Sequence, residues 1–312
     1  MNHNIIYAGL DIAKASFVLH IAAENTTATL PNTKAGQRQL LAILGRHPAI
    51  QVILEASGGY ERDVFEALCA AHIPTSVVNP RQVYHFAKSL GGRAKTDPLD
   101  AQLLSLYGER MAPAPTAPRT VQERNLCELI RHRRGLLETL VAQRQALEQV
   151  QFAPLRRELA ALIKQMEARL AKLETLMSQL QTADEQLLAK SKRLQQVRGV
   201  GELSALSLLA EMPELGTLKA KEAAALAGLA PYARESGAWK GRRSIQAGRP
   251  AVRRVLYMAA LSAARRHRAL SAFYKRLRAA GKPFKVAITA VMRKLLLLLN
   301  LALKFPNLVL VN

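Results

Sequence analysis

Two short apolar runs near the N-terminus each stop on a carboxylate: residues 5–11 (Ile-Ile-Tyr-Ala-Gly-Leu-Asp) at Asp11, and Gln51 to Leu54 at Glu55. Runs of this length and apolarity read as strands buried on both faces. Ser16 to Ala23 and Thr26 to Leu30 read as second and third strands. Gly36 to His47 has helical spacing through Leu40, Leu41, Ile43 and Leu44. Tyr60 to His72 is an amphipathic helix, Thr75 to Val78 a strand and Pro80 to Leu90 a helix. Three strands, then alternating helix and strand, predict an α/β unit with a mixed sheet. Sites in open α/β sheets gather at the C-terminal ends of strands. Asp11 and Glu55 therefore stand side by side if their strands are neighbours.

After Gly91-Gly92 comes Arg93-Ala94-Lys95-Thr96-Asp97-Pro98-Leu99-Asp100. Asp97 before Pro98 reads as a helix N-cap, and Ala101, Leu103, Leu104 and Leu106 give that helix a buried face. Asp97 and Asp100, three apart, lie on one side of it. Taken alone this is an ordinary acidic first turn, which the helix dipole favours. Taken with Asp11 and Glu55 it makes four acids. Four converging carboxylates repel one another unless cations neutralise them. Mg²⁺ (or Mn²⁺) suits hard oxygen ligands, and a pair of such ions about 4 Å apart serves phosphoryl transfer. The two cysteines, Cys69 and Cys127, are far apart and provide neither a disulfide framework nor a zinc site, so a reducing cytoplasm is expected. The N-terminus has no charged-then-apolar signal segment, and the most apolar run, Leu295 to Leu303, is too short to span a bilayer.

Pro113, Pro115 and Pro118 mark a linker. From Val121 to Arg198 leucines recur mostly at intervals of three and four, interrupted by Pro154, which ends or kinks the first helix. A long antiparallel helical hairpin with coiled-coil-like packing follows, serving as a spacer or dimerisation arm. Val197-Arg198-Gly199-Val200-Gly201 then leads into a helix at Leu203 to Ala210. Such a turn exposes backbone N–H groups that can cradle a phosphate, so Arg198, Gly199 and Gly201 are candidate DNA-backbone contacts of a helix-hairpin-helix motif. A plain tight turn is an equal reading of this string. Ala220 to Ala227 is a short helix and residues 230–250 a basic, glycine-bearing loop. Helices at Pro250 to Arg266, Ser271 to Ala280 and Lys285 to Leu303 close the chain. The expected division is 1–112, an α/β unit; 113–196, a helical linker; and 197–312, a mainly helical C-terminal domain.

Charge separates these parts. Residues 1–110 carry net +1, residues 111–228 net +4 and residues 229–312 net +17, within a total of +22. A cationic unit of this density implies a polyanion, nucleic acid first, because it releases counterions from the phosphate backbone. A membrane surface is the lesser reading, since the cations lie in loops as well as helices. Arg93, Lys95, Arg234, Lys240, Arg242, Arg243, Arg249, Arg253 and Arg254 are the further candidate phosphate contacts.

Three stretches, Gly9-Leu10-Asp11-Ile12-Ala13-Lys14, Leu54-Glu55-Ala56-Ser57-Gly58-Gly59-Tyr60 and Lys95-Thr96-Asp97-Pro98-Leu99-Asp100-Ala101, resemble the three acidic motifs of the DEDD transposases, the insertion-sequence "one-ten" family related to Piv-type DNA invertases. The resemblance extends through Gly228-Leu229-Ala230-Pro231, Glu235-Ser236-Gly237, Gly248 and Arg253-Arg254-Val255-Leu256-Tyr257-Met258. Ser57 stands where Thr is the commoner residue.

The resemblance implies a RuvC-like RNase H fold with Asp11, Glu55, Asp97 and Asp100 as Mg²⁺ ligands. It also implies a C-terminal transposase domain with Ser236 as nucleophile. The activity implied is DNA cleavage and strand exchange through a phosphoserine. Donor and target DNA would be paired by an element-encoded bridge RNA, and a homodimer or homotetramer would share composite sites. From the residues alone Ser236 is an ordinary loop serine. Ser244 is an equal candidate, and Tyr232 or Tyr257 would indicate tyrosine chemistry; no His lies near it, and His267 reads as part of a solvated basic face. A Holliday-junction-type metal endonuclease and a non-catalytic nucleic-acid-binding protein are the competing functions.

Overall fold

Strand β1 (Ile6–Ile12) is the axis of the first unit. β2 (Ser16–Ile21) turns back beside it, antiparallel, with Leu10 opposite Leu19, and β3 (Thr26–Pro31) pairs antiparallel with β2. On its other side β1 pairs in parallel with β4 (Ile50–Glu55), which pairs in parallel with β5 (Thr75–Val78). The sheet order is β3-β2-β1-β4-β5, the mixed sheet expected, with the strand order and directions of an RNase H arrangement. The structure is a computed structural model that describes residues 5–91, 96–232, 235–236, 239–241 and 243–309, with the backbone alone at 235, 236, 239 and 240. The chain forms two units, Met1–Pro118 and Arg119–Asn312.

Alternation sorts the first core. Ala8, Leu10, Ile12, Val52 and Leu54 pack on one face with Leu40 and Leu44 of α1 (Lys34–Leu44) and Val64 and Leu68 of α2 (Arg62–Ala70). Tyr7 and Ile53 turn to the other face, where Val83 of α3 (Pro80–Ser89) and Leu104 and Tyr107 of α4 (Asp97–Met111) cover them. The proline-rich stretch is more than a linker. Gln51 Nε2 donates to the Pro113 carbonyl at 2.7 Å, Thr116 N donates to the Thr75 carbonyl at 2.8 Å, and Val77 N donates to Thr116 Oγ1 at 2.9 Å. Residues 113–116 thus shield the outer edge of β5, whose unpaired backbone groups would otherwise invite pairing with another chain.

The second unit begins with α5 (Val121–Gln149), started by a capping box in which Thr120 and Glu123 satisfy each other's backbone N–H. α6 (Ala153–Thr182) returns antiparallel to it, with Pro154 in its first turn. Leu140, Ile163 and Leu170 fill the seam, and Arg133 reaches Glu174 at 2.6 Å across it. α7 (Glu185–Gln195), α8 (Glu202–Glu211), α9 (Ala220–Leu226), α10 (Pro250–Arg266), α11 (Arg268–Ala279) and α12 (Phe284–Lys304) enclose a core centred on Leu194, Leu208, Leu256, Leu295, Leu296 and Leu299. α12 is long and apolar enough to cross a membrane by length and composition. One face of it is buried in this core, and Asn300 on that face is hydrogen bonded through both its oxygen and its nitrogen, accepting from Gly216 N at 2.8 Å and donating to the Leu218 carbonyl at 2.9 Å. Arg193 of α7 donates to the carbonyls of Ala302 and Phe305, adding side-chain donors at the end of α12.

His267 differs from expectation. It is 2 % exposed and caps α11, its Nδ1 accepting from Leu270 N. The chain bends between α10 and α11 there, which turns the ring inward; burial, together with the nearby Arg198 charge, holds its pKa below the ordinary 6.5.

Candidate active site

Asp11 and Glu55 arise from the two parallel central strands. Leu10 lies opposite Leu54, so the residues that follow, Asp11 and Glu55, are neighbours across the sheet with side chains on the same face. That face is the one covered by α4. A Cβ added at Gly9 would sit 1.9 Å from the Ala101 carbonyl and 2.5 Å from Ser105 N, and one added at Gly108 would meet Tyr7 and Ile53. The helix lies so close to β1 because Gly9 and Gly108 leave room for it.

These contacts also set direction. From Tyr7 to Gly9 to Asp11 along the strand, the facing helix residues run from Gly108 to Ser105 and Ala101 and then toward Asp97. The first turn of α4 therefore points at the strand ends that carry Asp11 and Glu55. Asp97 continues the stripe of Ala101, Ser105 and Gly108, and Asp100 that of Leu104 and Tyr107. Both are first-turn residues, where the helix dipole favours negative charge. The N-cap itself is Thr96, in an extended conformation at φ −146°, and Asp97 is the first helical residue. Proline at the second helical position still fits, because its missing N–H would have had no partner inside the helix.

The four acids of the sequence motifs therefore share one face and one edge of the sheet. Their oxygen donors match a hard divalent cation, and they are partly exposed at that edge, Asp97 most of all. Among the described residues no three acidic, histidine or cysteine side chains stand close enough together to hold a metal ion.

The loop after Glu55 is held by a residue that sequence reading missed. Glu61 Oε2 accepts from Ser57 N at 3.2 Å, Ser57 Oγ at 3.1 Å and Gly59 N at 2.7 Å. Ser57 needs only a hydroxyl for this, so serine and threonine are equivalent donors here. The signal was an acid placed just after a Gly-Gly pair, where a carboxylate can collect the N–H groups of a turn.

Ser236 lies in a different unit. β6 (Pro231–Tyr232) pairs with β9 (Ser244–Ile245), and β7 (Glu235–Ser236) with β8 (Trp239–Lys240), Ser236 opposite Trp239. The basic loop is thus a two-step hairpin. Its base is fixed where two glycines cross, Gly228 at φ +68° and Gly248 at φ +66°; a Cβ on Gly248 would lie 2.1 Å from Gly228 N. Arg253 braces the crossing by donating to the Ala247 carbonyl at 2.6 Å.

The candidate phosphate contacts divide accordingly. Arg93, Lys95, Arg234 and Arg242 lie outside the described residues, and Lys240 is placed by its backbone alone. Arg249 is engaged inside the fold: its two terminal nitrogens grip Glu214 at 2.6 and 2.7 Å. Burial pushes the Glu214 carboxyl up, but the Arg249 hydrogen bonds and charge outweigh it and hold the group below its ordinary value. The hydrogen bond to Glu214 raises the Arg249 pKa in turn. Arg254 pairs with Glu138 at 2.5 Å. Arg243 and Arg198 are exposed. In the Arg198 turn, Gly199 is pressed on α10, where a Cβ would come 2.6 Å from Ala263 N, and Gly201 caps α8. Ser244 and Tyr232 pair across β6 and β9, the inner of the two strand pairs, and Tyr257 is on α10.

Comparison with known proteins identifies the family of the chain. Residues 8–152 match a family profile described as a transposase of the DEDD, IS110 type, and residues 191–275 match the profile "Transposase IS116/IS110/IS902 family". The chain is 30% identical over 300 residues to the pilin gene-inverting protein of Moraxella bovis and 30% identical over 302 residues to that of Moraxella lacunata, covering 93% of this chain and 93% of the relative in each case. A solved structure, T. thermophilus RuvC in complex with Holliday junction substrate, aligns at TM-score 0.28 and 16% identity over 36% of this chain and 99% of that one. With two family profiles matched in order and relatives similar along nearly the whole length, the chain belongs to the IS116/IS110/IS902 transposase family, enzymes of DNA recombination.

Proposed function

We propose that the protein is the recombinase of an insertion sequence, cutting and exchanging DNA strands through a covalent phosphoserine at Ser236 with Mg²⁺ held by Asp11, Glu55, Asp97 and Asp100. The supporting observation is the register that puts Asp11 and Glu55 side by side under the first turn of α4. Bound metal would polarise the DNA phosphate and stabilise charge on its oxygens. The carboxylates orient that site, while Ser236 Oγ forms the new bond to phosphorus. A bond from phosphorus to a deoxyribose oxygen breaks in the same step, and that leaving oxygen ends with the serine proton. Reversal on a second strand end completes exchange. Arg243 and the cations of the hairpin hold phosphates.

Further parts of the reading rest on family resemblance. An element-encoded bridge RNA pairs donor and target DNA. The protein works in the bacterial cytoplasm as a homodimer or homotetramer, the α5–α6 hairpin acting as a coiled-coil spacer or dimerisation arm. One subunit's acids meet another's serine. The 197–201 turn serves as a helix-hairpin-helix contact to the DNA backbone. Sequencing the RNA that copurifies with the protein tests the guide, which is ruled out if no single structured species is enriched.

The central test is a supercoiled plasmid carrying donor and target sites, incubated with Mg²⁺ and resolved under denaturing conditions. Wild type is expected to leave DNA covalently on protein, and Ser236→Ala to leave none. Asp97→Asn should lose cleavage by at least about 10²-fold, the scale of removing one group that stabilises a transition-state charge. Cleavage that persists in Ser236→Ala without an adduct would make the protein a hydrolytic, junction-type nuclease instead.

A further inference from the structure

From residue 250 to the end of the chain there is no Asp or Glu, yet cations recur throughout. Two of those on α10 have internal partners, Arg253 bracing the hairpin and Arg254 meeting Glu138, while Arg265 and Arg266 at its end are exposed. Those on α11 do not pair with carboxylates among the described residues. α11 buries Leu270 and turns Arg268, Lys275, Arg276 and Arg278 outward, and Lys282 is exposed just beyond its end.

The cations are positioned. Arg278 Nη1 donates to the Lys282 carbonyl at 2.6 Å, which ties the end of the helix to the turn. Arg276 and Lys294 both sit over the ring of Phe273, at 5.4 and 4.0 Å from its centroid. One aromatic ring thus draws in two like charges, one from α11 and one from α12. Two positive groups gathered on one ring repel each other, and a bound anion relieves the cost.

We propose that the outer face of α11, with Lys282 and the Arg276–Phe273–Lys294 cluster, is a docking surface for the backbone of duplex DNA, sequence-independent and separate from the Ser236 hairpin. The 12 residues of α11 span about 18 Å, or roughly five base-pair steps. Arg268 opens this length and Lys275, Arg276 and Arg278 close it, so cations at both ends can meet phosphates of a regular duplex. Single-strand surfaces instead offer open aromatic faces for stacking, and here the Phe273 ring is covered by its cations. The proposal rests on the recombinase reading only in taking DNA as the substrate.

The test is a titration of a non-specific duplex of about 30 base pairs across a series of salt concentrations. Lys275→Gln/Arg278→Gln/Lys282→Gln changes only exposed side chains. Three lost phosphate contacts should reduce the slope of log K against log salt by about 2.7, which weakens binding at 0.1 M relative to 1 M salt by about 500-fold. The matched triple Lys164→Gln/Arg169→Gln/Lys172→Gln on α6 removes the same charge and should leave the slope unchanged. Equal slopes for wild type and the α11 triple overturn the proposal, as does an equal loss in the α6 triple, which would mark net charge alone as the cause. A loss seen with a structured RNA but not with duplex would reassign the surface to RNA. The titration needs no catalysis, so it stands if strand exchange is absent, and intact exchange alongside an unchanged slope rejects the surface but not the recombinase.

Discussion

Gly9 shows what one missing methyl controls. Its Cα is closed off by the Ala101 carbonyl and Ser105 N, so any side chain would push α4 from the sheet and carry Asp97 and Asp100 with it. Gly9→Ala should cost about 1–3 kcal/mol by overpacking, measured by urea denaturation, and should lower DNA cleavage further than stability alone explains. The Glu214–Arg249 pair acts at the same scale. Because the folded carboxyl titrates below its ordinary 4.5, its stabilisation is fully present above that pH and is lost as pH falls through the folded value. Glu214→Gln should therefore melt below wild type at neutral pH, with the gap narrowing on acidification from pH 6 to pH 3. The four motif acids were legible as residues because each follows an apolar run or opens a helix. Glu61 and Glu214 were not, since their partners are set by turns and by a helix distant in sequence.

Elements were legible where a single period governs them. The central strands and the long hairpin helices fall close to where alternation and leucine spacing put them. The basic loop contains two strand pairs, too short for any periodic signal. The stretch around Pro113 read as a connector because proline punctuates sequence, whereas its role comes from hydrogen bonds to β5. Gln51→Leu removes one of the two donors to the Pro113 carbonyl, the other being Ser76 Oγ, an expected loss of about 1–2 kcal/mol. Limited proteolysis should show faster cutting between residues 112 and 118, and equal cutting rates would mean that the segment is held by other contacts. His267 read as solvated because its neighbours in sequence are arginines; the bend between α10 and α11 sends it the other way.

At the scale of the molecule, charge and chemistry are divided between two units. The acids belong to a nearly neutral α/β unit, and the hydroxyl nucleophile proposed belongs to a unit crowded with cations. Composition exposed that division, and motif order along the chain exposed the family. Neither could reveal the Gly228–Gly248 crossing, which depends on two backbone segments meeting at a distance no side chain permits. That crossing works as a drawstring. It gathers the two ends of the hairpin whatever lies between them, so the cost of closing the loop is met at its neck. Doubling the enclosed length would then cost only about 0.6 kcal/mol, and exchange of residues 231–245 between relatives should leave the melting temperature of the second unit nearly unchanged. The length of chain around the proposed nucleophile is thereby decoupled from the stability of the scaffold that carries it.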